Sequence, residues 1–187
     1  MTPSPQSNPG QKKPFPVVLV AVIVGLALCP CGIGCVAAIA IPNFIKFQAR
    51  ANQSECKMNL KRAYVEARAY YVEKDVYETD AKKLSFALTG NRYVYAFAPQ
   101  GKNAVISAAR HGTGQTLTTA DALDAMRTIV DLGVTGECPG CEITIGCAAN
   151  LDQDSDLDIW SISSKERMIG GRTVPIGQLY NHSDDTK

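Results

Sequence analysis

Residues 37–77 read AAIAIPNFIKFQARANQSECKMNLKRAYVEARAYYVEKDVY, and from Asn43 to about Lys74 they contain no proline or glycine. Phe44, Phe47, Ala51, Met58, Val65, Ala69 and Val72 recur there near helical spacing, which predicts a long amphipathic helix over 43–74. Glu66, Arg68, Glu73 and Lys74 give it a solvated charged face. Immediately upstream, Phe15 to Pro42 holds no Asp, Glu, Lys or Arg. About 20 apolar residues suffice to cross roughly 30 Å of hydrocarbon. Val17 to Ile41 exceeds that even if Pro30 and the glycines kink it. The expected element over 15–42 is a transmembrane helix that continues into the amphipathic one.

A cleaved signal peptide is the competing reading of the apolar block, with Lys12 and Lys13 as its basic start, Val17 to Leu28 as its core and Ala38-Ile39-Ala40 as its cleavage site. Against it, the apolar run continues through Phe44 and Ile45, and Pro42 follows the supposed site directly. Neither Cys29 nor Cys35 follows the leucine-then-small-residue pattern of a lipid-attachment site, since bulky Leu28 directly precedes Cys29 and Gly32 stands three before Cys35. Charge does not set the orientation, since Lys12 and Lys13 face Lys46, Arg50, Lys57, Lys61 and Arg62 across the block. Cysteine usage does: Cys56, Cys138, Cys141 and Cys147 all follow the span, as expected of an oxidising periplasm or exterior. The expectation is a single-pass inner-membrane protein with membrane lipid around its span, a cytoplasmic N-terminus and a periplasmic or extracellular domain.

Residues 1–14, rich in proline, serine and asparagine, predict a disordered cytoplasmic tail. After the helix, 75–90 reads as a connection with one short helical turn at Ala81 to Leu88. Arg92 to Ala98 and Ala104 to Ala109 read as strands flanking the turn-rich Pro99 to Asn103. Thr118-Thr119-Ala120-Asp121 is a helix start, Leu123, Met126, Ile129 and Val130 its apolar stripe and Gly133 its stop. Strands follow at Glu142 to Ala148 and Leu157 to Ser163, and 177–187 looks like a flexible tail. The expected fold class is α+β, one long helix on a small antiparallel sheet, with an exported domain over 43–176 and its sheet region over 91–176.

The stretch Ala37 to Tyr77 resembles the N-terminal helix of type IV pilins, most closely the long pilins of social gliding bacteria. Asn91-Arg92-Tyr93-Val94-Tyr95 is similar to the family's first strand. Glu137-Cys138-Pro139-Gly140-Cys141 is similar to its acidic Cys-Pro-x-Cys turn, and Asn150 to Trp160 to its Asn-rich acidic loop ending in tryptophan. The resemblance departs where pilins carry the glycine and glutamate read by prepilin peptidase and used in docking. Counting back from Ala37, those positions fall on Val20 and Gly25. The resemblance implies a pilin-like fold and a non-enzymatic role: a structural or anchored accessory subunit of a type IV pilus or type II secretion-type envelope assembly. Its partners would be other pilin-like subunits or envelope assembly proteins, met through the N-terminal helix. The alternative is a membrane-tethered periplasmic calcium-binding or interaction module that no longer enters a filament.

Asp152, Asp154, Asp156 and Asp158 place four carboxylates on alternate residues. In a loop they could wrap calcium, which takes six to eight oxygen ligands. The glycine and final glutamate of an EF-hand are missing, so a solvated acidic turn is the other reading. Cys138-Pro139-Gly140-Cys141 has redox-pair spacing, yet a reactive thiol of that kind sits at a helix start. Glu142 to Ile145 reads as strand, which favours a structural disulfide. Cys29, Cys31 and Cys35 read as inert apolar residues, and His111 and His182 stand alone. Nothing pairs a nucleophile with a base, and no catalytic residue is nominated. With 19 Lys and Arg against 18 Asp and Glu, no basic field exists for nucleic acid. The resemblance adds one more pairing, because pilins commonly carry alanine where this chain has Cys56 and Cys147. Two such changes imply a bridge, which would close a loop of roughly 90 residues and contribute somewhat over 4 kcal/mol at best. Separate buried thiols, or Cys147 paired with Cys138 or Cys141, are the alternatives.

Overall fold

A computed structural model describes residues 15–88, 92–107, 117–151 and 156–184, with the helix side chains before Lys46 described only in part. The chain divides into two compact units, Met1–Phe44 and Ile45–Lys187. The first contributes the beginning of α1, Phe15–Lys74. Among the described residues no helix is long and apolar enough to cross a membrane, and most side chains of 15–37 lie outside them. The tail over 1–14, His111 and the side chains of Cys29, Cys31 and Cys35 lie outside the described residues too.

In the second unit α1 ends at Lys74 because Asp75 takes a left-handed conformation, φ 57°, and donates its N–H to the Tyr71 carbonyl at 2.8 Å. The connection after it forms a turn from Ala81 to Ser85, closed by the Phe86 N–H on the Ala81 carbonyl. Among the described residues eight strands follow: β1 Val94–Ala96, β2 Val105–Ser107, β3 Gly133–Thr135, β4 Glu142–Ala149, β5 Asp158–Ser163, β6 Arg167–Ile169, β7 Arg172–Val174 and β8 Tyr180–Ser183. The main sheet runs β2-β1-β4-β5-β8, all antiparallel. β3 pairs with residues 142–144 of β4, ahead of β1, which pairs with 146–148. The hairpin β6-β7 turns through Gly170 and Gly171, both at positive φ, as a two-residue turn with left-handed residues requires.

Side-chain alternation splits the core across the two faces of the sheet. Tyr93, Tyr95 and Phe97, with Ile143, Ile145 and Cys147, pack against Cys56, Leu60, Ala63 and Ala67 of α1. Val94, Ala96, Ala148 and Ile159 pack against Ala122 and Met126 of α2, Thr119–Ile129. The architecture is α+β, a helix against an antiparallel sheet, with α2 covering the second face. Thr118 caps α2 by accepting the Asp121 N–H at 3.1 Å. The buried stripe of α2 is Ala122 and Met126, continued by buried Val130 just past its end, with Leu123 partly covered. Ile129, expected within it, is 48% exposed.

Four strands were not anticipated from sequence, and one of them lies at Tyr180–Ser183, within the stretch read as a flexible tail. Tyr180–Ser183 is an edge strand paired with β5. Its tyrosine, asparagine, histidine and serine carry no aliphatic alternation, and its order comes from ladder hydrogen bonds and polar partners instead. Ser161 Oγ lies 2.7 Å from His182 Nε2, and the Tyr180 ring meets the His182 ring edge-on at 4.9 Å.

Candidate functional site

The helix spacing noted in the sequence resolves into two opposite faces. Within the second unit Phe47, Met58, Val65 and Val72 stand 11, 7 and 7 residues apart, which keeps them within an arc of roughly 40° around the helix. They are 70, 60, 62 and 76% exposed. Ala51 and Ala69 are exposed on the same side. The face toward the sheet is made of small and polar residues and one leucine: Gln53, Cys56, Asn59, Leu60, Ala63 and Ala67, all buried. The helix therefore turns its bulkier apolar residues away from its own domain. The line is interrupted by exposed Ser54, Lys61 and Arg62, so it is a row of separate apolar side chains on a mixed surface.

On the buried side, Asp158 sits at 0% exposure as the first residue of β5. Its Oδ2 accepts from the Tyr93 hydroxyl at 2.7 Å and the Trp160 indole at 2.8 Å, and its Oδ1 from Gln53 Nε2 at 3.0 Å. Gln53 Nε2 donates also to Asp184 Oδ1 at 2.9 Å. Burial pushes the Asp158 carboxyl above its ordinary range; the three donors oppose that, and the nearby Asp184 charge adds to it. Burial also raises the Tyr93 phenol, with the Asp158 charge second. Lys57 Nζ lies 4.3 Å from the centre of the Trp160 ring, which spreads a positive charge over the outer side of this network.

Asp152 and Asp154 lie outside the described residues. Asp156 is exposed, and Asp158, read from sequence as a loop ligand, is instead committed to core hydrogen bonds. Among the described residues no group of three or more His, Cys, Asp or Glu could hold a metal ion. The structure joins Cys56 to Cys147, with 6.5 Å between Cα atoms, and Cys138 to Cys141, with 4.6 Å. The Gly140 N–H beside the second bridge donates to the Tyr71 hydroxyl at 3.0 Å, tying the turn to the last part of α1.

Residues 47–116 match the family model described as type IV pilin PilA. The chain is also similar to the type IV major pilin protein PilA of Myxococcus xanthus (strain DK1622), at 33% identity over an alignment 185 positions long that covers 82% of each chain. The chain belongs to the type IV pilin family. This pilin carries its family resemblance where the fold is built, on α1 and the first strands, and pilins are in general structural rather than catalytic proteins. The polar network around Asp158 was not anticipated, although Gln53 and Asn59 share a helical face with Cys56 and Leu60, which was the available signal.

Proposed function

We propose that this pilin is a structural subunit of an envelope filament, anchored by Phe15 to Pro42 and packed against its neighbours through the exposed apolar face of α1. The observation that carries the reading is the line Phe47, Met58, Val65 and Val72, which points away from a core already filled by the opposite face. Burying four such side chains contributes about 1.5–3 kcal/mol each in a fully covered interface, whereas leaving them in water gains nothing. In cells, Val65→Asp/Val72→Asp should leave the domain folded with both bridges intact, yet remove the protein from the sheared surface fraction. Recovery of that variant in fibres at the wild-type amount would refute the reading.

A permanently anchored accessory subunit is the second reading. It draws on Val20 and Gly25, which stand where the family carries its cleavage glycine and docking glutamate. Mass spectrometry of the N-terminus in cells separates the two. A mature chain starting near Ala21 fits a processed filament subunit, and an uncleaved start fits the permanent anchor.

A further inference from the structure

Three residues on the buried face of α1, spaced by three, each reach a different strand. Asn59 Nδ2 donates to the Tyr95 hydroxyl of the β1 face at 2.7 Å. Cys56 is bonded to Cys147 of β4, and Gln53 Nε2 binds Asp158 of β5. Gln53 also reaches Asp184, just beyond β8. The order of the ties along the helix is the order of the strands across the sheet, β1-β4-β5-β8. The metrics agree, because three helical residues advance about 4.5 Å and neighbouring strands lie about 4.8 Å apart.

We propose that Gln53, Cys56 and Asn59 form a register clamp that fixes the axial position of α1 on the sheet. Leu60, Ala63 and Ala67 on the same face are apolar, and other polar ties of α1, Glu55 to the Arg92 N–H and Tyr71 to the Gly140 N–H, reach loops rather than the sheet. Apolar contact is non-directional and selects a helix position weakly. Hydrogen bonds to a buried carboxylate and a buried phenol are directional, and a disulfide is more demanding still. A slide of one strand spacing would leave the Asp158 and Tyr95 oxygens without their amide donors inside the core, a cost that closes the alternative registers. With the clamp shut, a pull along the helix is received by β1, β4 and β5 together. The clamp stands on the fold alone and holds whether or not the chain enters a filament.

Amide hydrogen exchange on the full-length protein in detergent micelles tests it. With the Cys56–Cys147 bridge intact, Asn59→Ala should change exchange of residues 49–63 by no more than about twofold, since the helix is still held in place. In a Cys56→Ala/Cys147→Ala background the same substitution should speed exchange of 49–63 by about tenfold, with β4 and β5 amides moving far less. An equal effect of Asn59→Ala in both backgrounds, or parallel acceleration of helix and sheet, overturns the clamp. If the double-alanine protein does not fold, the first arm still decides: opening of 49–63 in Asn59→Ala with the bridge present also overturns it.

Discussion

A carboxylate at 0% exposure is tolerable at Asp158 because donors surround it: a phenol, an indole and an amide share its two oxygens. His182 solves a similar problem by losing its proton. Burial and the Arg167 guanidinium push the His182 ring down to about 4. Arg167 Nη1 donates to Ser161 Oγ at 2.7 Å, and Ser161 Oγ lies 2.7 Å from His182 Nε2, a pairing that a neutral ring satisfies in either tautomer. Because the folded value lies below the unfolded one of about 6.5, the folded state binds this proton more weakly. The stability contribution is therefore present in full above about pH 6.5 and is lost as the pH falls toward 4. Urea melts should show His182→Gln removing about 1–3 kcal/mol of the wild-type loss between those limits, with little pH-dependent difference above pH 7. Parallel curves for the two proteins would mean that the ring does not titrate this way.

Among the elements, α1 and α2 approach the sheet with different means. α2 lies close because Gly146 of β4 has no side chain: a Cβ there would meet Leu132 Cδ2 at 2.8 Å and Met126 Sδ at 3.2 Å. Gly146→Val should therefore cost about 1–3 kcal/mol by overpacking. Adding Met126→Ala should recover part of that loss, because it opens the space the new methyls need; strictly additive losses in denaturant melts would show that the contact is not the cause. The elements with strong periodicity or explicit punctuation were legible in the sequence: α1, α2 with its Thr118 cap, and β1, β2, β4 and β5. β3, β6 and β7 span three residues each, as β1 and β2 do, but lack the longer apolar runs Arg92 to Ala98 and Ala104 to Ala109 that mark those two, and polar β8 is held by its partners on β5. The faces of α1 were legible only in part. Periodicity marks Phe47, Met58, Val65 and Val72 as one line, but it does not say which face meets the sheet. Here the domain took the side with Ala63, Ala67 and Cys56, where aromatic rings of β1 fit against small residues.

For the molecule as a whole, topology decides whether the apolar line and the two bridges have a role at all. Phe15 to Pro42 carries no charge, while Gln48 onward holds a polar domain with four of the seven cysteines. Structural disulfides persist in oxidising compartments and are rare in the cytosol, so the geometry that joins Cys56 to Cys147 and Cys138 to Cys141 supports an exported domain. The Cys56–Cys147 bridge spans 91 residues of sequence. Closing a loop of that size stabilises the folded domain by about 4 kcal/mol in the chain-entropy account, which has value only where the bond survives. We expect protease added to spheroplasts to degrade the domain from Gln48 onward while leaving a short N-terminal fragment in the membrane. Thiol labelling of the same unreduced cells should find Cys56 and Cys147 unreactive, and reactive after denaturation with reductant. Full protection of the domain from protease, or labelling of Cys56 and Cys147 without reductant, would place it on the cytoplasmic side and remove the filament reading along with the anchor.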